Sequence, residues 1–261
     1  MNKKPICNEA YRPSAIFQIL IAALLIFTIG CAADNEQRLR DASASHQMGV
    51  AYLRDRQSLQ ALQSLVKAEQ LNPMSAEYKN TLGIAYMVRK EYSIARLKFE
   101  EAVVLDPTDS EAWNNLGALH LDRERYALAV TAFDRALENK LYVTRELALG
   151  NKGWALYKLG RMTEARATLE RAIAVEPTYP LAHLNLGIIF QDMDRHLEAL
   201  DSFDRTLDIY PDNAKAHLHR GISLFRMDKR DEAKLAFKEA SELDRGGDVG
   251  KSALTYLNHL Q

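Results

Sequence analysis

The sequence predicts an all-α chain, a linear stack of six helix–turn–helix repeats closed by a C-terminal capping helix. Three observations predict it. A block of about 34 residues begins at Ala42 and is written six times. Glycines recur at Gly49, Gly83, Gly117, Gly153, Gly187 and Gly221, and alanines keep step at Ala61, Ala95, Ala129, Ala165, Ala199 and Ala233. Within a block the apolar spacing is helical: Ala95, Phe99 and Ala102 stand at i, i+4 and i+7, one face of a helix. A repeat of this kind cannot bury its apolar face alone, but stacked repeats bury a continuous, linear core.

Taken in order, the chain starts with different material. Lys3, Lys4 and Arg12 precede an apolar run over residues 15–29, and Gly30-Cys31 follows. A positive segment, an apolar segment and a small residue before the cut read as a secretory signal over residues 1–30. The run is shorter than the ~20 residues that span a bilayer as a helix. Cys31 makes the segment resemble a bacterial lipoprotein signal, in which that cysteine becomes the first mature residue and carries acyl chains. Thr28 stands where that family usually has leucine. A plain cleaved signal and an uncleaved N-terminal anchor are the other readings. With Cys7 gone, Cys31 has no internal disulfide partner, which favours modification. The whole chain is −1, and removing the +2 of the signal leaves the mature part at −3. That charge draws neither nucleic acid nor anionic lipid. Residues 31–41 hold the lipidated cysteine and a short polar tether.

The six repeats are predicted at 42–75, 76–109, 110–143, 146–179, 180–213 and 214–247. Each has a first helix carrying the glycine, which lets a neighbouring helix approach, and a second helix carrying alanine and a large apolar residue four further on. Pro73, Pro107, Pro177 and Pro211 stop the second helix in four of the blocks, and the missing N–H costs little at the start of the next helix. Between the third and fourth blocks Leu141 takes the proline's place and the linker is two residues longer. This reads either as a tolerated loop insertion or as a bend or contact site. Residues 248–261 have an apolar side of Ala253, Tyr256, Leu257 and Leu260, suited to closing the last core face.

These motifs resemble the tetratricopeptide (TPR) family. The resemblance implies a right-handed superhelix whose first helices line a concave groove for a partner. The positions it places there are Val50, Leu53, Asn80, Ile84, Met87, Asn114, Leu121, Trp154, Tyr157, Leu184, Ile188, Gln191, Leu218, Ile222 and Phe225. Most are apolar, an exposed apolar stripe marks a binding site, and about half are expected to be open to solvent. TPR proteins that clamp a terminal carboxylate use lysine, arginine and asparagine. The first two repeats here offer His46, Val50, Asn80 and Ile84 instead, so a partner helix or an extended apolar strand is expected.

No enzyme is expected. There is no Cys pair, no HExxH and no nucleophile elbow, hence no catalytic, metal or cofactor residue to name. His183 and His217 occupy the place of Trp113 and read as packing residues. Gly250-Lys251-Ser252 imitates a phosphate loop, but no strand precedes it, and it reads as the start of the cap.

A lipoprotein signal, a tether, six TPRs and a closing helix resemble the type IV pilus pilotins, the PilF/PilW/Tgl group of outer-membrane lipoproteins. Leu141-Tyr142-x-Thr144-x-Glu146-x-Ala148 followed by Asn151-x-Gly153-Trp154 is similar to their longer junction between the third and fourth repeats. The resemblance implies localisation and multimerisation of the pilus secretin as the function, a protein partner, attachment by lipid and no catalytic residues. Ala32, where an aspartate would retain the protein at the inner membrane, implies the periplasmic face of the outer membrane. Leu169, in place of an aromatic, departs from the pattern. The rival reading is an envelope adaptor that recruits periplasmic proteases or peptidoglycan hydrolases.

Overall fold

The computed structural model describes residues 15–260, with side chains from Asp34 onward. Residues 1–14 of the predicted signal, and the side chain of Cys31, lie outside the described residues. Among the described residues there are thirteen helices and no strand: α1 (Ala15–Arg54), α2 (Ser58–Leu71), α3 (Ala76–Val88), α4 (Tyr92–Leu105), α5 (Ser110–Asp122), α6 (Tyr126–Glu138), α7 (Arg145–Lys158), α8 (Met162–Val175), α9 (Pro180–Asp192), α10 (His196–Ile209), α11 (Ala214–Arg226), α12 (Arg230–Leu243) and α13 (Asp248–His259). They form six antiparallel pairs and a cap. The polar stretch read as a tether is helical and runs unbroken into the first repeat, with Arg40 paired to Glu36 one turn earlier at 2.8 Å. No helix among the described residues is long and apolar enough to cross a membrane.

The pairs are held by one contact written repeatedly. Phe99 of α4 is fully buried, and its ring lies so close to Gly83 of α3 that an added Cβ would stand 2.6 Å from it. Gly117 and Phe133 repeat this in the next pair at 2.7 Å. Ala95 and Ala102 flank Phe99 without exposure, so the ring fills a socket with small walls. In repeat four Leu169 does the same against Gly153, which is why the missing aromatic leaves the fold unchanged.

The helix ends follow from local chemistry. Side chains of Ser75, Asp109 and Asn213 accept hydrogen bonds from the first N–H groups of α3, α5 and α11. Trp113 Nε1 donates to Pro107 O at 3.0 Å, and Nε2 of His183 and His217 sits 2.9 Å from Pro177 O and Pro211 O. The two histidines therefore pin the proline turn as the tryptophan does. At the irregular junction, Tyr142 turns inward, is buried and donates its hydroxyl to Glu111 at 2.9 Å. Leu141 and Val143 on either side point out, 87% and 89% exposed. The extra residues thus form an anchored turn. Gly250, Lys251 and Ser252 lie in the first turns of α13.

The backbones of α1 and α3, α3 and α5, α5 and α7, α7 and α9, and α9 and α11 approach within 8 Å between Cα atoms, whereas those of successive second helices do not. The first helices therefore line the inner, tighter radius of the stack.

Candidate functional site on the inner face

The positions expected to line the groove sit on those inner helices, but they are less open than the expectation had them. Asn80, Asn114, Leu184, Ile188 and Leu218 are buried. Val50, Leu53, Ile84, Met87, Leu121, Trp154, Tyr157, Gln191, Ile222 and Phe225 are half-buried, and none of the fifteen is exposed. The expected half open to solvent is not there, because the first helices pack against one another and cover their own apolar positions. Leu184 and Ile188 belong to the main core cluster, with Leu121, Trp154 and Tyr157 packed on its edge.

The half-buried positions are spread over the stack, and their aromatic members, Trp154, Tyr157 and Phe225, lie in repeats four and six. Trp154 and Tyr157, three residues apart on α7, stack with ring centroids 4.8 Å apart. The Tyr157 hydroxyl donates to Asp192 of α9 at 2.5 Å. Burial, with the Asp192 carboxylate adding to it, pushes that phenol up to about 12. Lys158 lies 5.9 Å and Lys215 5.2 Å from the Trp154 ring centre, one on α7 and the other on α11. Reaching from the sixth repeat to the fourth is possible only on the inside of the curve. Burial, then the nearby Lys158, holds the Lys215 ammonium below its ordinary range.

Behind this patch lies a polar lock. Gln191 Nε2 donates to Ser223 Oγ at 2.8 Å and to His219 O at 2.9 Å, while its Oε1 meets His219 Nδ1 at 2.8 Å. His219 stacks on Phe203. In the sequence reading Gln191 is a groove residue; here its amide is spent between repeats five and six. Asp192, Lys215 and His219 were missed. A signal for one class of them existed: Tyr157–Asp192, Asn80–Asn115 and His46–Thr81 are all hydrogen-bonded pairs 35 residues apart, one repeat plus one residue. At the other end His46 stacks on Tyr78, with ring centroids 4.6 Å apart.

The patch combines aromatic faces, two ammonium groups without a carboxylate partner among the described residues, and one carboxylate engaged by a phenol. Among the described residues no group of three or more His, Cys, Asp or Glu is placed to hold a metal. Such a surface can hold a peptide segment by stacking and by charge, and it defines a helical-repeat scaffold for protein–protein interaction. Family models described as "Tetratricopeptide repeat" and "TPR repeat" match residues 46–110 with 80–140, and 153–194. The chain belongs to the tetratricopeptide-repeat family. By sequence, no curated protein matches it. Among solved structures it is similar to PilF of Pseudomonas aeruginosa, at 20% identity and a TM-score of 0.75, over 84% of this chain and 99% of that one. It is similar to PilW, described as a widely conserved type IV pilus biogenesis factor, at 22% identity and a TM-score of 0.76, over 82% and 98%. YrrB, a TPR protein with an unusual peptide-binding site, matches at 20% identity and a TM-score of 0.56, over 73% and 97%.

Proposed function

We propose that this chain is a non-enzymatic, pilotin-like scaffold that brings a type IV pilus secretin to the outer membrane and promotes its multimerisation. The observation that carries the reading is end-to-end similarity of fold: 99% of PilF and 98% of PilW are spanned by the alignment to this chain. The lipoprotein-like Cys31 and the anchored junction around Tyr142 support it. In the mechanism we infer, acyl chains on Cys31 hold the solenoid at the periplasmic face of the outer membrane, where more than one chain makes a stable anchor. The inner patch of Trp154, Tyr157, Lys158 and Lys215 captures an apolar, partly acidic secretin segment. Capture limits premature association and raises the local concentration of secretin at the membrane.

The test is the amount of heat- and detergent-resistant secretin multimer in outer membranes with and without this gene. Loss of multimer while monomer persists is the expected result. Unchanged multimer rejects the secretin reading and leaves the envelope adaptor. The patch is tested separately with Trp154→Ala combined with Tyr157→Ala, checked for retained helicity. Two aromatic anchors of ~2 kcal/mol each sum to ~4 kcal/mol and predict roughly a thousandfold loss of secretin binding, and unchanged binding by the folded variant removes the patch from the mechanism.

A further inference from the structure

A second site lies on the turn edge of the stack, away from the inner patch. A cleft of about 420 Å³ opens between repeats two and three, bounded by the α3–α4 turn, the first turn of α4 and the C-terminal end of α5 with the turn that follows. Lys90, Arg96, Arg123 and Arg125 line it. Of the carboxylates nearby, Glu91 is taken by Arg89 at 2.7 Å and Glu100 by Arg96 at 2.6 Å. Lys90, Arg123 and Arg125 form no ion pair among the described residues, so the cleft carries an excess of positive charge. The Arg123 guanidinium is set in place 4.7 Å over the Tyr92 ring.

Two kinds of donor face the same space. Glu91 precedes α4 without capping it through its side chain, so the N–H groups of Tyr92 and Ser93 at the helix start have no side-chain acceptor. His120 also lines the cleft. It is only 8% exposed, yet no hydrogen-bond partner meets its ring nitrogens among the described residues. Its ring nitrogens are not sealed from solvent, so they are open to a group that enters the cleft. Burial, then the charge of Arg125, holds this imidazole below its ordinary value, with Glu100 pulling the other way and Arg96 adding to Arg125.

We propose that this cleft is a phosphate-binding site, with Lys90, Arg123 and Arg125 balancing the charge and the α4 N-terminus and His120 donating hydrogen bonds. Three unpaired cations beside a helix N-terminus suit a dianion with several acceptor oxygens better than a carboxylate with two. The volume exceeds that of one phosphate, so the group can belong to a free phosphate or to a phosphomonoester, including a phosphatidic acid headgroup.

The test uses the full chain with isotope-labelled histidine and reads the His120 ring resonances. One arm titrates inorganic phosphate against chloride at constant ionic strength. The other titrates dihexanoyl phosphatidic acid against the uncharged detergent octyl glucoside. Saturable shifts at His120, with its pKa raised by about one pH unit as an anion settles beside it, are expected in at least one arm. The arm that responds identifies the source. Arg123 and Arg125 are exposed, so Arg123→Ser with Arg125→Ser leaves the fold intact, seen as unmoved His183 and His217 resonances, and weakens the response at least tenfold. No shift in either arm, or an equal shift in the double variant, overturns the proposal.

Discussion

His219 shows how one side chain reports on the stack. Burial, reinforced by Lys215 and opposed by Asp192, pushes its imidazole down to about 4. The unfolded chain recovers the ordinary value of 6.5, so between these values the unfolded state binds more protons. Stability is therefore fully present above pH 6.5 and is lost as pH falls toward 4. The expected contribution lost between pH 7.5 and pH 5 is about 2 kcal/mol, from 1.36 kcal/mol per pH unit of difference. Urea midpoints at the two pH values measure it, and His219→Gln should flatten the difference by that amount. His46 and His120 titrate in the same direction, so the change between variants, and not the raw pH profile, isolates His219. A variant that keeps the full pH dependence would show that other groups account for it. At this scale the sequence was readable where a residue repeats. His183 and His217 hold the positions of Trp113 and make the same bond to a proline carbonyl. It was unreadable where the partner comes from another repeat without a periodic cue, as with Gln191 and Ser223.

The helices end in one repeated motif. The N–H of Glu91 returns to Tyr86 O at 2.9 Å and that of Lys90 to Met87 O at 2.9 Å, and equivalent bonds close α1, α5, α7, α9 and α11. The motif puts one residue in the left-handed region at Arg56, Lys90, Glu124, Gly160, Asp194 and Asp228. Only the fourth repeat uses glycine there. A residue with a Cβ costs roughly 1–2 kcal/mol in that conformation, while glycine's greater freedom in the unfolded chain returns about half of the gain. Arg56→Gly should therefore stabilise the protein by about 0.5–1 kcal/mol. Asp228→Gly should do less, since aspartate tolerates the conformation and Asp228 is paired to Arg230 at 2.9 Å. Denaturant unfolding of the two variants compares them; a loss of stability in Arg56→Gly would mean that its side chain makes contacts worth more than the strain. These turns also frame the proposed phosphate cleft, since Lys90 and Glu124 are their left-handed residues.

The whole molecule is a one-dimensional stack, and its ends and joints set its behaviour. Repeats one and two are joined by a half-buried network in which Lys79 and Lys98 each reach Glu69 and Glu101, at 2.6–3.1 Å. At the far end Tyr256 of α13 stacks on Phe237 at 4.8 Å and meets Phe225 edge-on. Tyr256→Ala should cost about 2 kcal/mol, less than for a fully buried ring. The damage should stay local: hydrogen exchange in α11 and α12 quickens while α5 keeps its protection, because each repeat touches only its neighbours. Uniform quickening along the chain would instead indicate a single cooperative unit. The sequence by itself determined the all-α class, the 34-residue period and the buried faces, because a helix pattern and its turn are local and were written six times. The tertiary structure alone decided how open the inner face is, that Lys215 reaches back to Trp154, that Tyr142 anchors the junction, and that His120 meets an arginine cleft. Those facts depend on the rise and rotation from one repeat to the next, which arise from packing between repeats and leave no mark in any single block.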